Sequence, residues 1–286
     1  MNKPVFIYAL HRSGSTYLKN IIASSSEIAM LEDEVHFDHP FFLNTFKKYF
    51  DRVCKNDFNR YDAFLAFLRN KKIRGAFWQN YKQRYKDFSR SRKYLLDSSH
   101  VTVWDSFNSI LRQILVDSQK KRVGIKYPAH FMYFNDFLEQ YPNSKNIFLI
   151  REPKAIIASK IVSPTNNRLR KSGFIKYEIL RLITVSYFSC EYKYFLKTIL
   201  KNKTNGLAVR YEDLVLEKDT TLKRICIYAE IQINEKMFDA TGKKSGYSKA
   251  LKNEDRVKRW SNILRKYEIS IIDKITRKYK ILFGYD

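Results

Sequence analysis

The sequence is poor in cysteine, glycine and proline. Its three cysteines, Cys54, Cys190 and Cys226, lie far apart and form neither a CxxC pair nor a cysteine-histidine cluster. The spacing therefore supports neither a disulfide framework nor a zinc site. Cys190 and Cys226 stand in apolar stretches, so we expect both thiols to be buried. With 8 glycines, 6 prolines and 44% hydrophobic residues in 286, the chain has no signature of disorder.

Long hydrophobic runs are also missing. No run reaches the length of about 18 apolar residues that a membrane helix needs. The first apolar run, residues 5–10, is too short for the core of a signal peptide. We therefore expect a cytoplasmic protein, and peripheral contact with the inner membrane stays open.

Acidic residues are scarce relative to basic ones. Lysine and arginine number 54 against 29 aspartates and glutamates, which gives a formal charge of +25. An excess of this size indicates an anionic partner, which is a nucleic acid, an acidic membrane, or a nucleotide together with an acidic acceptor. The sequence contains no recognised nucleic-acid-binding motif.

What is present is an alternation of strands and helices. Residues 5–10 are apolar and rich in strand formers, as in a strand buried on both faces. Further strands are predicted at 28–31, 123–126, 146–150 and 207–211, and helices at 16–24, 130–141, from Pro153, at 174–204 and at 220–229. This order predicts a three-layer α/β fold with a central parallel sheet, like that of P-loop nucleotide hydrolases.

We expect one domain over residues 1–286. Residues 38–122 are aromatic and basic with helical periodicity, and they are predicted to be a helical insertion outside the sheet. Residues 243–286 are predicted to be a basic helical segment.

The loop after the first strand has the form of an anion-binding turn. Aligned with the Walker pattern GxxxxGK(S/T), it places Gly14 on the second glycine and Thr16 on the final hydroxyl, but Ser15 replaces the lysine. The backbone N–H groups and the dipole of the next helix favour an anion, and Arg12 adds a charged donor. In a Walker loop the lysine binds the β- and γ-phosphates of ATP, and this chain lacks it. The 146–150 strand runs into Arg151, where an acidic residue would be needed for Mg²⁺. Both differences weaken an ATP interpretation.

Residues 11–18, His-Arg-Ser-Gly-Ser-Thr-Tyr-Leu, resemble the (R/K)SG(S/T)T loop of PAPS-dependent sulfotransferases, where PAPS is 3′-phosphoadenosine 5′-phosphosulfate. The likeness is nearest in style to bacterial and carbohydrate sulfotransferases. It covers the first forty residues and about 123–262. It implies that the 5′-phosphosulfate is held by Arg12, Ser13, Gly14, Ser15, Thr16 and Tyr17.

Further segments follow in the family's order. Arg151 ends a strand and Ser159 follows eight residues later, the spacing with which family members hold the 3′-phosphate. Tyr211, in a Tyr-Glu-Asp-Leu segment, is implied to lie near the adenosine. Lys126, in a Gly-x-Lys-x-Pro segment, is implied to reach the transferring sulfuryl group. Arg256 is implied to lie in a basic segment that closes over the nucleotide.

The resemblance implies an in-line transfer that needs no metal and leaves PAP, with Arg12 and Lys126 stabilising the developing charge. An acceptor hydroxyl needs a base within hydrogen-bond reach. Glu34 lies where relatives place a catalytic residue, with His36 and Glu32 as alternatives. An ordinary solvent-exposed loop with acidic residues would explain the segment 32–36 equally well.

The acceptor is not encoded in a motif. Aromatic faces stack on sugars and basic side chains bind their acidic groups, so the composition of residues 38–122 favours an anionic carbohydrate or a glycolipid. Two other functions stay open. A P-loop kinase or other NTPase is suggested by the strand-loop-helix start, and a nucleic-acid-binding protein by the net charge.

Overall fold

A computed structural model describes residues 3–31, 47–48, 51, 93–94, 102–128, 130–163, 173–239, 257 and 259–286. The strands are β1 (Val5–Ala9), β2 (Ile28–Met30), β3 (Arg122–Pro128), β4 (Lys145–Ile150) and β5 (Leu207–Arg210). The α-helices are α1 (Ser15–Ala23), α2 (Val103–Ser118), α3 (Phe134–Gln140), α4 (Pro153–Ile161), α5 (Phe174–Lys201), α6 (Tyr211–Leu216), α7 (Lys218–Ala229), α8 (Glu235–Asp239) and α9 (Lys266–Lys280). Short 3-10 turns occupy His130–Tyr133, Arg259–Asn262 and Ile281–Phe283.

The strands form one parallel sheet in the order β2-β3-β1-β4-β5. The central strand is β1, where Ile7 lies between Lys126 of β3 and Ile147 of β4. The chain leaves β1 towards β2 on one side and later crosses from β3 to β4 on the other, so the strand order reverses at β1. In open parallel sheets, ligands bind outside the carboxyl ends of the strands at such a reversal.

Both faces of the sheet are covered, as the apolar run of β1 predicts. Phe6 and Tyr8 belong to a core cluster with residues of α2, α3 and α5, whereas Val5, Ile7 and Ala9 belong to a second cluster with α1, α6 and α7. All five side chains are fully buried. The alternation gives two apolar layers around one sheet, and the predicted three-layer α/β fold with a parallel sheet is confirmed.

The range of the predicted insertion includes one helix that packs on the sheet. Within residues 38–122, helix α2 packs against β2 and β3, and the last residue of this range, Arg122, begins β3. Buried residues Phe107, Ile110, Leu111 and Ile114 recur at helical spacing and give α2 one apolar face. A capping box at its start fixes where the helix begins, with Thr102 Oγ1 accepting from Asp105 N at 3.1 Å.

The prediction that Cys190 is buried is wrong, whereas Cys226 is buried as expected. On α5 the buried face includes Val185, Ser189 and Tyr192, which follow a helical repeat. Cys190 is one residue out of phase with Ser189 and is therefore turned towards solvent, although its neighbours in the sequence are apolar.

Helices α4, α5 and α9 form a third cluster beside the sheet. A buried ion pair joins α5 to α9, because Arg181 Nη2 lies 2.8 Å from Glu268 Oε2 and also donates to Ile263 O at 2.7 Å. This packing fixes α4, which begins at Pro153 directly after β4. Of the described helices, none is long and apolar enough to cross a membrane.

Candidate active site

The loop between β1 and α1 has an unusual backbone. Arg12 and Gly14 both adopt positive φ, at 75° and 90°. A Cβ at Gly14 would lie 2.3 Å from the Tyr211 ring, so this position requires glycine for space as well as for conformation. Arg12 has no such freedom, so its positive φ is an uncommon and strained conformation, of a kind that occurs often at functional sites.

The loop is suited to an anionic group. It lies at the carboxyl end of the central strand and leads into the N-terminus of α1, where N–H groups and the helix dipole favour negative charge. Ser13 is fully buried, and its Oγ has no hydrogen-bond partner among the described residues. A buried hydroxyl without a partner is costly, and a phosphate or sulfate oxygen bound in the loop would satisfy it.

Lys126 reaches this loop from the neighbouring strand. Its side chain is buried, and its Nζ lies 3.2 Å from Thr16 Oγ1 in the first turn of α1. The parallel pairing of β3 with β1 places it there, because Lys126 is level with Ile7 and its side chain extends towards the carboxyl edge. The structure thus brings together two predicted site residues that are 110 positions apart.

Arg151 and Ser159 approach the same loop from β4 and α4. Arg151 Nη1 donates to Arg12 O at 2.9 Å, and Arg12 Nε donates to Ser159 Oγ at 2.9 Å. Arg151 thus contacts the backbone of the loop, and the Arg12 side chain contacts α4, both at the carboxyl edge of the sheet. Two cationic side chains at one edge favour an anion there.

Tyr211 forms part of the same group. The Arg151 guanidinium lies 4.5 Å from the centre of its ring, which also packs against Gly14. The predicted strand 207–211 ends one residue earlier in the structure, and Tyr211 begins α6. Its ring is thus held between the β1–α1 loop and the Arg151 side chain.

Other predicted residues contribute differently or lie elsewhere. Ser15 and Tyr17 are in the first turn of α1, and the Tyr17 ring lies 5.8 Å from Lys218 Nζ. Glu32, Glu34, His36 and Arg256 lie outside the described residues. Their roles stay predictions.

A second set of residues, to which no motif points, supports this edge. Glu212 is buried and accepts hydrogen bonds from Glu152 N at 3.0 Å and from the Tyr285 hydroxyl at 2.6 Å. The Tyr192 hydroxyl donates to Arg151 O at 2.9 Å. Glu212 stands next to Tyr211 in the Tyr-Glu-Asp-Leu segment, but Tyr192 and Tyr285 carry no local signal.

The pKa of the Glu152 carboxyl is raised, mainly because the group is buried. The nearby Lys280 and Lys154 lower this pKa, whereas Glu212 raises it. Among the described residues, no three His, Cys, Asp or Glu side chains are grouped so that they could hold a metal ion. The charged groups that converge on the loop itself are the cations Arg12, Lys126 and Arg151.

Comparison with known proteins decides the family. The sequence profile of a sulfotransferase family matches residues 4–235, from the residue before β1 to the first residue of α8. The chain belongs to the sulfotransferase family. A comparison with curated proteins gave no match for this sulfotransferase.

Solved structures share the fold of this sulfotransferase at low sequence identity. The sulfotransferase domain from the curacin biosynthetic pathway is 17% identical, with a TM-score of 0.61 over 100% of this chain and 99% of that one. The sulfotransferase domain of the Synechococcus PCC 7002 olefin synthase is 17% identical, with a TM-score of 0.55 over 100% and 97%. Mouse sulfotransferase SULT7A1, solved with PAP, is 13% identical, with a TM-score of 0.51 over 99% and 89%.

Proposed function

We propose that this sulfotransferase transfers the sulfuryl group of PAPS to a hydroxyl or amine of a carbohydrate or glycolipid. The observation that carries the choice of donor is the contact of Arg12 with both Ser159 and Arg151. It joins a loop suited to one anionic group to an arginine-hydroxyl pair suited to another. A nucleotide with a 5′-phosphosulfate and a separate 3′-phosphate matches two such sites.

The reaction is an in-line displacement at sulfur. An acceptor oxygen or nitrogen forms the new bond to sulfur, and the bond from sulfur to the bridging phosphate oxygen breaks. PAP leaves with the electron pair of that bond, and the acceptor proton passes to a base. Catalysis of this kind depends on positioning and on stabilising the charge that develops on the leaving oxygen.

In this proposal the residues of the site bind different groups of PAPS. Arg12 and Lys126 donate to the bridging and sulfuryl oxygens, and Ser13 donates its unpartnered hydroxyl to the 5′-phosphosulfate. Arg151 and Ser159 bind the 3′-phosphate. None of these contacts requires a metal ion, since the cations of the chain supply the positive charge.

The remaining assignments rest on the sequence. Glu34 is our proposed base, with His36 as the first alternative, and Arg256 is proposed to close over the nucleotide. The aromatic and basic composition of residues 38–122 supports an anionic carbohydrate or glycolipid acceptor.

Calorimetric titration tests the donor. We expect PAP to bind the wild-type protein and ATP with Mg²⁺ to bind far more weakly. Arg151→Ala should abolish PAP binding, whereas Arg224→Ala, which removes an exposed arginine from α7, should leave it unchanged. Binding of ATP with Mg²⁺ and indifference to PAP would instead identify a P-loop phosphotransferase.

Transfer of labelled sulfate tests the acceptor. The protein is incubated with PAPS carrying ³⁵S and with an acidic polysaccharide, a glycolipid, a tyrosine peptide or a small phenol. We expect label in one of the first two. Label in the peptide or the phenol alone would contradict the acceptor class and leave the donor assignment intact.

A further inference from the structure

A buried carboxylate connects the end of the described chain to the strand end that carries Arg151. Glu212 is 4% exposed and uses both of its oxygens. Its Oε1 accepts from Glu152 N at 3.0 Å, and its Oε2 accepts from the Tyr285 hydroxyl at 2.6 Å. Hydrogen bonds to an ionised acceptor are stronger than neutral ones, so this bridge is a firm support for the backbone that follows Arg151.

A second hydroxyl holds the same backbone from the other side. Tyr192 is fully buried on α5, and its hydroxyl donates to Arg151 O at 2.9 Å. The peptide unit between Arg151 and Glu152 is thus fixed at its carbonyl by Tyr192 and at its N–H by Glu212. A fixed peptide here determines the direction in which the Arg151 side chain leaves the strand.

Tyr285 is itself held tightly in place. It is 4% exposed, and the Arg210 guanidinium lies 4.5 Å from the centre of its ring. Gly284, with φ 74°, forms the turn before it, and a Cβ there would lie 2.9 Å from Arg210 Nη1. Lys280 anchors the segment through Asp273 at 2.6 Å.

The Tyr285 hydroxyl must carry its proton in order to donate a hydrogen bond to Glu212. Burial raises the pKa of this phenol, and the charge of Glu212 raises it further. The hydroxyl therefore keeps its proton at neutral pH and donates it to the carboxylate, as the 2.6 Å distance requires.

We propose that Tyr285, acting through Glu212, and Tyr192 are positioning residues that preorganise Arg151 for the 3′-phosphate of the nucleotide. The inference rests on the proposed function of Arg151. Neither tyrosine contacts the anion. Each removes freedom from the Arg151 backbone, so that the guanidinium does not have to be ordered when the nucleotide binds.

The test is a comparison of two nucleotides that differ at the 3′ position. Calorimetry gives the Kd of PAP and of adenosine 5′-phosphate, which lacks the 3′-phosphate, for the wild-type protein and for Tyr285→Phe. Loss of the hydroxyl should weaken PAP about 5-fold while adenosine 5′-phosphate changes little. The preference for PAP should therefore fall by about the same factor. A general loss of stability would not produce this selective effect.

Tyr141→Phe is the matched control. Tyr141 is also buried, and its hydroxyl donates to Asn108 Oδ1 at 2.7 Å, away from the loop. We expect its removal to leave the preference for PAP unchanged. If Tyr285→Phe does not fold, Tyr192→Phe tests the other half of the support, with a fall in the same preference expected.

The outcomes separate the two levels of inference. Binding of PAP by the wild-type protein, its loss in Arg151→Ala and an unchanged preference in Tyr285→Phe and Tyr192→Phe would overturn the positioning roles alone. Failure of the wild-type protein to distinguish PAP from adenosine 5′-phosphate would overturn the assignment of Arg151, and the positioning roles with it.

Discussion

The two edges of the sheet use basic residues in different ways. At the amino edge, Lys3 and Lys145 both bind Glu230, each at 2.6 Å, and Arg122 donates to backbone carbonyls. At the carboxyl edge, Arg12 and Arg151 lie against each other's segments around a loop with left-handed residues. At the amino edge the basic side chains are bound by a carboxylate and by carbonyl groups of the chain, whereas at the carboxyl edge two arginines are gathered around one loop. The first arrangement is typical of stability and the second of ligand binding.

Substitution of Arg12 should have the largest effect and should appear in catalysis. In the proposed function Arg12 stabilises charge that develops only during transfer, and loss of one such donor lowers kcat by about 100- to 1000-fold. The exposed side chain of Arg12 contributes little packing, so the Tm of Arg12→Ala should stay near the wild-type value. Steady-state transfer of labelled sulfate and thermal unfolding measure the two quantities. A large fall in Tm with kcat retained would remove the distinction between the edges.

Arg122 at the amino edge should show the opposite pattern. Its side chain is 7% exposed and donates to Lys3 O and Ala229 O, both at 2.7 Å, and to Glu230 O at 3.1 Å. Arg122→Ala leaves these carbonyls without their donor and should lower the free energy of unfolding by about 2 to 4 kcal/mol. Urea denaturation measures the loss. The Kd of PAP, measured where the variant is folded, should be unchanged, and a weakened Kd would show that the edges are coupled.

The positions of Arg12 and Arg151 at the carboxyl edge could be predicted because the signals for them are local. A buried strand followed at once by Arg12, Ser13 and Gly14 predicts an anion-binding turn, and Arg151 is likewise placed at a strand end by the residues before it. Parallel pairing then brings such strand ends together without any further information. The fold class follows from the same alternation of strands and helices.

The supports of that edge could not be predicted in the same way. Tyr285 meets Glu212 across 73 positions of sequence, and the contact depends on how α9 and the turn after it return to the sheet. No local pattern encodes such a return. Cys190 shows a related limit, since an apolar neighbourhood does not determine the phase of a helix. Aromatic and basic composition likewise did not separate α2 from the insertion predicted around it.

Gly14 offers a test of the loop backbone. Gly14→Ala introduces a Cβ that would overlap the Tyr211 ring at 2.3 Å, in a conformation with φ 90°. We expect a loss of about 1 to 3 kcal/mol in the free energy of unfolding and weaker PAP binding. Gly173→Ala is the control, because a Cβ there meets nothing within 4 Å. Equal stabilities of the two variants in urea would contradict the strained loop.

Glu230 should give the smallest effect, and one that depends on pH. Hydrogen bonds from Lys145 and then Lys3 lower the pKa of its carboxyl to about 2, whereas the pKa of an unfolded glutamate is about 4.3. The ionised group thus stabilises the folded state above the unfolded pKa, and this contribution is lost as the pH falls towards the folded pKa. Chemical unfolding of wild type and Glu230→Gln should show a gap in the free energy of unfolding at pH 7 that narrows by pH 3. Because the Lys3–Glu230 ion pair is exposed, added salt should also narrow this gap at pH 7. A gap independent of both pH and salt would mean that Glu230 stabilises the fold by packing and not by its ion pairs with Lys3 and Lys145.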